Sequence, residues 1–417
     1  PEPRVRRLDA PGLRSAKAVT AGAGAQGAIT PDPAFGLDGL LWNYRRIGLP
    51  DWWRLSSGDP DVRVAVVDTG LDFTHVELRP VVVKTVDFTL DERVTACQEF
   101  VDPSYPTDRA LAQRFGGPAT TDWNGHGSWI GGTIAAALNG TGTNGIAPRV
   151  GLVGLKISQS CGSAYDSDIL LAFLWAANHG VNIVSISFGG YVDRTDPDQE
   201  AIYQDYVRAV AYARSKGTLI VAAAGNEHVR LAADGRVLSH GELTAPGEQL
   251  FDLHGLYELP GGAPDVVSIA STGNVVNPSA ARCPGTSGGS PDDDGATAIC
   301  KPRRDRHQAA GQGRQDQLAY YSNYGPGIDL AAPGGARKFN LPYWDRGGTP
   351  GFPYVTSEGT QAWEEFSVTS NWAVEIPCFT FAAGSGFPRG QCYSTIQGTS
   401  MATPHASAVA ALLASAK

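Results

Sequence analysis

Four residues stand where their side chains could do nucleophilic chemistry. Ser400, in "IQGTSMATPHASAVAALLASAK", follows Gly398 and Thr399 and opens an alanine-rich apolar helix. A serine in that place is ordinarily a helix cap. The same place suits a nucleophile, because unpaired N–H groups and the positive end of the helix dipole stabilise an oxyanion formed beside it. Pro404 falls in the first turns, where a missing N–H is tolerated. Met401, the only methionine of the chain, adjoins the serine, and its oxidation would set a polar sulfoxide against it.

His126 lies in "WNGHGSWIGGTIAAA", where Gly125 and Gly127 clear space for an imidazole to face a cleft. Taken alone, a lone histidine is more often a satisfied structural group. Asp68 ends the apolar run "VAVVD" before a "TG" turn, so its carboxylate reaches the carboxyl edge of a strand and could orient an imidazole; a plain turn aspartate is the alternative. Asn226 ends "LIVAAAGN" and could offer an amide donor to an oxyanion, or serve only as a turn residue. Of the other histidines, His179 beside a helix-ending glycine and His405 inside the last helix read as structural. His75, His228, His240, His254 and His307 sit in loop-like sequence, where a solvated surface is the default.

These residues need elements to hold them. Val62–Gly70, Val150–Ile157, Val181–Gly190 and Gly217–Asn226 are short, nearly continuous apolar runs and read as strands. Ser167–Gly180 and Gln199–Gly217 between them are helical patterns closed by glycine. Strand and helix in alternation imply an α/β fold, a mostly parallel sheet with helices on both faces, and functional groups just beyond the carboxyl ends of the strands.

Residues 1–30, rich in Ala, Gly and Arg, read as an extended arm, and 31–417 as the domain. Leu90–Thr121, Asn274–Leu318 and Ala336–Cys392 carry no periodic apolar core and read as inserted surface loops. The chain has 417 residues, 42% of them hydrophobic, enough for a large core, and a net charge of -9. No basic field exists to gather nucleic acid or anionic lipid, and no apolar run is long enough to span a membrane. The six cysteines lack metal-site spacing, so disulfides in an oxidising compartment are expected. Closeness in the chain favours Cys283 with Cys300 and Cys378 with Cys392, leaving Cys97 with Cys161; several free thiols are the alternative.

In combination, Asp68, His126 and Ser400 follow one another in the order of the subtilisin triad. "VAVVDTGLD", "NGHGSWIGGTIAA" and "GTSMATPHASAVAALL", with "SISFGG" and "AAAGNE" between them, together closely resemble the signatures of the subtilisin-like serine proteases (subtilases, peptidase family S8). The resemblance runs from about Asp32 to the end of the chain, the three inserts apart. It implies the three-layer subtilisin fold and a secreted serine endopeptidase, with the periplasm or cell surface as alternative locations, made with a propeptide that is later removed and working as a monomer. Ser400 would be the nucleophile, His126 the general base, Asp68 its orienting carboxylate and Asn226 the side-chain oxyanion donor.

The resemblance also implies that protein or peptide substrates lie as an extended strand along Ser187, Phe188 and Gly189, opposite Ala224 and Gly225. Phe188 then suggests an apolar wall, and a fairly broad cleavage with a preference for large apolar P1 residues. A structural calcium ion would be held by Asp32, Glu77 and Asn139 with the backbone oxygens of Thr141 and Thr143; no catalytic metal or organic cofactor is expected. Ser128 stands where the family more often has threonine, and bulky Trp129 follows. The insert at 90–121 would narrow the substrate range if it overhangs the cleft. The family usually continues well past the serine helix, so a C-terminal segment beyond Lys417 is expected. A non-catalytic binding module on the same fold, or a narrow processing protease, are the competing readings.

Overall fold

A computed structural model of the chain describes residues 30–36, 41–90, 92–240, 242–243, 251–276, 313–319, 321–335 and 365–416. The chain divides into two compact units, Pro1–Thr30 and Pro31–Lys417, and every element named below belongs to the second. The expected arm, the middle insert between 277 and 312 and the Cys283–Cys300 pair lie outside the described residues.

One sheet of eight strands organises the second unit. The strands are β1 (Arg63–Asp68), β2 (Val82–Asp87), β3 (Gly151–Lys156), β4 (Ile183–Ile186), β5 (Leu219–Ala223), β6 (Val267–Val276), β7 (Gly313–Leu318) and β8 (Leu330–Pro333). Their order is β7-β6-β5-β4-β1-β3-β2, with β8 also beside β6. All neighbours are parallel except β6 with β7. The four strands expected from apolar runs are β1, β3, β4 and β5, and β3 and β4 are buried along their whole length, as parallel strands covered on both faces must be.

Helices cover both faces. On one, α2 (Asp166–Asn178) and α3 (Pro197–Ser215) pack on each other and bury Ile169, Phe173, Tyr206 and Val210 against Ala65, Val67, Val153 and Leu155 of the sheet. On the other, α1 (His126–Ala135) lies beside α4 (Thr399–Ser415), against β1, β4, β5 and β6. Asp196 starts α3 as its N-cap, accepting from the N–H of Asp198, which satisfies one of the orphan donors of the first turn.

Two of the inserts are more built than the sequence suggests. Residues 90–121 form two short helices, Ala96–Phe100 and Asp108–Phe115, each started by a threonine cap. The Cys97–Cys161 disulfide ties the first to the loop after β3. A buried ion pair ties the second, with Lys156 Nζ 2.8 Å from Asp108 Oδ2 and both side chains under 5% exposed. In the third insert, Glu365–Val368 pairs antiparallel with Tyr393–Ile396 as a wholly buried strand against α1, closed by the Cys378–Cys392 disulfide. This part is core, not a surface loop: its apolar side chains Phe366 and Val368 are buried, but too few are consecutive to show a period.

Removing one partner of a buried pair strands the other charge in a low-dielectric interior, which costs more than the intact pair contributes. Asp108→Ala is therefore expected to destabilise the protein by about 3–5 kcal/mol in urea unfolding. Replacing both partners by apolar residues, Asp108→Leu with Lys156→Met, is expected to recover most of that loss.

Candidate functional site

Asp68, the last residue of β1, is fully buried. Its Oδ1 accepts from the N–H of Thr69 at 2.8 Å and lies 2.8 Å from Nδ1 of His126, the first residue of α1. The approach of turn to helix is close: a Cβ on Gly127 would come within 2.1 Å of the Gly70 carbonyl oxygen, so only glycine fits. His126 keeps a fifth of its side chain exposed, and its ring meets Phe188 edge to face at 6.2 Å. Burial works against a charged imidazole, but the carboxylates of Asp68 and then Asp122 outweigh it and hold the ring above its ordinary pKa.

Asp122, which the sequence reading passed over, organises this corner. Its carboxylate accepts from the backbone N–H groups of Asn124, Gly125 and Ser128 and from the Thr69 hydroxyl. It thus caps α1, whose own N-cap is a glycine without a side chain, and places a negative charge at the positive end of the helix. Thr69 accepts in turn from the N–H of Gly127, and its carbonyl accepts from Lys156 Nζ. The serine at position 128 turns its hydroxyl to the N–H of Asp72, and Trp129 is buried with its indole donating to the Ser394 carbonyl, away from the cleft.

Ser400 is the second residue of α4, not its cap: Gly398 occupies the cap position and bonds with no side chain. Asn226 closes that end instead, its Oδ1 accepting from the Thr399 N–H at 2.9 Å and hydroxyl at 3.0 Å. This fixes the amide and leaves its Nδ2 without a protein partner among the described residues. Ser400 donates its hydroxyl to the Ser187 carbonyl at 3.3 Å, and no hydrogen bond joins it to His126 among the described residues. Pro404 lies deeper in the helix than the sequence reading placed it. The N–H it lacks would have reached the Ser400 carbonyl, which accepts from the Ser187 hydroxyl at 3.1 Å instead. Met401 is buried beside the serine.

One cavity of about 410 Å³ takes in His126, Asn226 and Ser400 with Ser187, Phe188, Gly189, Ala223, Gly225, Glu227, Glu258 and Ile376. Phe188 is part of this lining, whereas Ala224 is fully buried and lies outside it. Phe188 turns its ring toward His126, while Glu227 and Glu258 bring carboxylates to the far wall. Among the described residues the first insert, 90–121, contributes nothing to the lining; Ile376 of the third insert does, its N–H donating to the Asn124 carbonyl at 3.0 Å.

The five expected calcium ligands gather around one loop, but not as an oxygen cage. Asp32 accepts from the backbone N–H groups of Gly140 and Asn139. Glu77 accepts from the Tyr393 hydroxyl, the Thr143 N–H and the Asn139 amide, while the Asn139 carbonyl oxygen accepts from Thr141. Donors therefore face both carboxylates where a cation would need open oxygens, and burial pushes Glu77 up to about 8. The arrangement does not fit the ion. His75, read as a surface residue, is buried within the same cluster, its ring edge-on to Tyr393 and hydrogen-bonded to the Cys392 carbonyl. His405 is buried in α4 as expected, between the Met401 carbonyl and Asn43.

A family model described as "Subtilase family" matches residues 59–417. Subtilisin DY of Bacillus licheniformis is 33% identical over 166 residues, covering 40% of this chain and 47% of that protein. Alkaline elastase YaB of Bacillus sp. (strain YaB) is 32% identical over 185 residues, 44% of this chain and 39% of that protein. The chain thus spans less than half the length of these relatives. Among solved structures, the nisin leader peptidase NisP of Lactococcus lactis shares the fold, with a TM-score of 0.53 and 17% identity over 88% of this chain and 80% of that one. With its parallel sheet, its Asp68–His126 contact and a family match across most of its length, the chain belongs to the subtilase family.

Proposed function

We propose that the protein is a serine endopeptidase that cleaves peptides bound in extended form. The observation that carries this reading is the buried Asp68 holding Nδ1 of His126, with the other face of that ring in one cavity with Ser400 and Asn226. Ser400 Oγ attacks the scissile carbonyl carbon and gives its proton to His126 Nε2, after its hydroxyl leaves the Ser187 carbonyl for the ring. Asp68 keeps the imidazole in the required tautomer and stabilises the imidazolium. The oxyanion is met by Asn226 Nδ2 and by the N–H of Ser400, which in the first turn of α4 has no intrahelical acceptor. His126 then protonates the leaving amine, and water repeats the sequence on the acyl-enzyme.

The substrate backbone pairs with the Ser187–Gly189 segment opposite Ala224 and Gly225. Two disulfides among the described residues favour an oxidising compartment and hence a secreted enzyme; no described helix is long and apolar enough to cross a membrane. Removal of a propeptide and a monomeric state complete the proposal. A narrow processing role is the second reading, favoured by the insert residue Ile376 in the cleft wall. Cleavage at many unrelated sites in a peptide library would exclude it.

A fluorophosphonate probe is expected to label the protein on Ser400 and to fail with Ser400→Ala; absence of label on folded protein would sink the reading. Asn226→Ala should lower kcat by about the 10²- to 10³-fold that loss of the side-chain donor costs subtilisin itself. His126 must be neutral to accept the proton and its pKa is raised. Activity is therefore lost on the acid side as pH falls through a value above the ordinary imidazole range, and a limb below that range would contradict the assignment. Because N–H and O–H donors already face Asp32 and Glu77, EDTA is expected to leave the melting temperature unchanged. A fall of several degrees would show that a cation replaces them.

A further inference from the structure

The far wall of the cavity holds a group that the proposed chemistry does not use. Glu258 is 2% exposed and lines the cavity, and its Oε2 has no hydrogen-bond partner. Its strand, Tyr257–Leu259, pairs antiparallel with Gly190–Val192, placing Glu258 opposite Tyr191. That strand directly continues the Ser187–Gly189 segment along which the substrate would lie. Glu258 also spans the gap between the two substrate-flanking segments. A Cβ on Gly189 would lie 3.0 Å from its Oε1, and a Cβ on Gly261 would lie 2.7 Å from both its Oε2 and the Ala223 carbonyl oxygen. On the proposed binding mode, the side chain of the residue before the scissile bond would point into this gap.

Among the described residues no positive charge answers this carboxyl, which draws only on the backbone N–H groups of Gly262 and Gly261. Glu227, the nearest other acid in the lining, accepts from the Tyr191 hydroxyl, its neighbour's N–H and Asn323. The other ionisable groups felt by or facing Glu258 are Tyr191 and Tyr206, which bring no positive charge. Among the described residues no lysine or arginine pairs with Glu227 or Glu258. Arg194, held by Glu200, stacks on Tyr203 and Tyr257 instead. A buried carboxyl without a cation is costly unless a ligand supplies one.

We propose that Glu258 is the specificity-determining residue of the P1 pocket and that the protein cleaves after a cationic residue, arginine or lysine, whose charged end pairs with it. A guanidinium or ammonium offers several donors to a carboxylate in a water-poor pocket, where charge-assisted hydrogen bonds are strongest. Gly189 and Gly225 both line the cavity that the long stem would cross. Burial and then the charge of Glu227 push the free Glu258 carboxyl well above its usual range, so an arriving cation would favour its ionised form and discharge a proton. An apolar P1 side chain would leave the same carboxyl buried and unmatched.

The inference rests on Ser400 being the nucleophile, and the test separates the two. Peptide aldehydes identical except for P1, ending in Arg, Lys, Gln or Phe, compete with fluorophosphonate labelling of Ser400. If the parent protein takes no label, the reading of Ser400 fails and the pocket assignment falls with it. If it labels, the Arg and Lys aldehydes are expected to protect at concentrations roughly 10- to 10²-fold below the Phe aldehyde, and Glu258→Gln should shrink that ratio toward one. Equal or better protection by Phe or Gln in the parent protein overturns the proposal. So does an arginine preference that survives in Glu258→Gln. The parent panel alone decides if that variant does not fold.

Discussion

A buried carboxylate against an imidazole is the constraint around which the rest is arranged. Asp68 Oδ1 and His126 Nδ1, 58 residues apart in the chain, meet at 2.8 Å. An interior carboxylate must be matched by donors or it is a large cost. The sheet edge supplies the Thr69 N–H, and α1 presents the ring only because Gly127 lets the turn after β1 touch the helix. Asp122 then holds both sides of that contact, taking N–H groups of the helix start and the Thr69 hydroxyl together. Asp68 Oδ1, Thr69, Asp122 and the start of α1 thus hold one another in place.

Much of this was readable from residues alone. Apolar runs ending in Asp68 and Asn226 gave two of the sheet's central strands, because parallel strands buried on both faces cannot hide their composition. The glycine-flanked His126 and Ser400 were visible for a related reason: close backbone approach leaves small residues behind it. Asp122 carried no such mark. A carboxylate four residues before the histidine looks like any loop aspartate until the helix start folds back over it. His75 likewise sits in turn-like sequence and becomes interior only when Tyr393, brought by a distant hairpin, lies across it.

Glu258 was the least legible. In "LYELPGG" it alternates with apolar neighbours like an ordinary edge-strand acid, and nothing local says that its side chain faces inward. Its surroundings come from pairing with Gly190–Val192 and from the Ala223 and Gly225 segment, contacts between stretches that no short-range pattern connects. An apolar pocket was inferred from Phe188, the one neighbour whose type is conspicuous. The buried carboxyl of the same cavity lay on the strand Tyr257–Leu259 instead.

The hairpin of Glu365–Val368 and Tyr393–Ile396 sets an order in time. The carbonyls of Trp123, Asn124 and Gly125 beside His126 accept hydrogen bonds from Val374, Ile376 and Thr369, and Ser400 lies later still. A growing chain on the ribosome therefore makes Asp68 and His126 long before the segment that finishes their surroundings. On this topology a partly synthesised copy lacks Ser400, and with it the nucleophile of the proposed reaction.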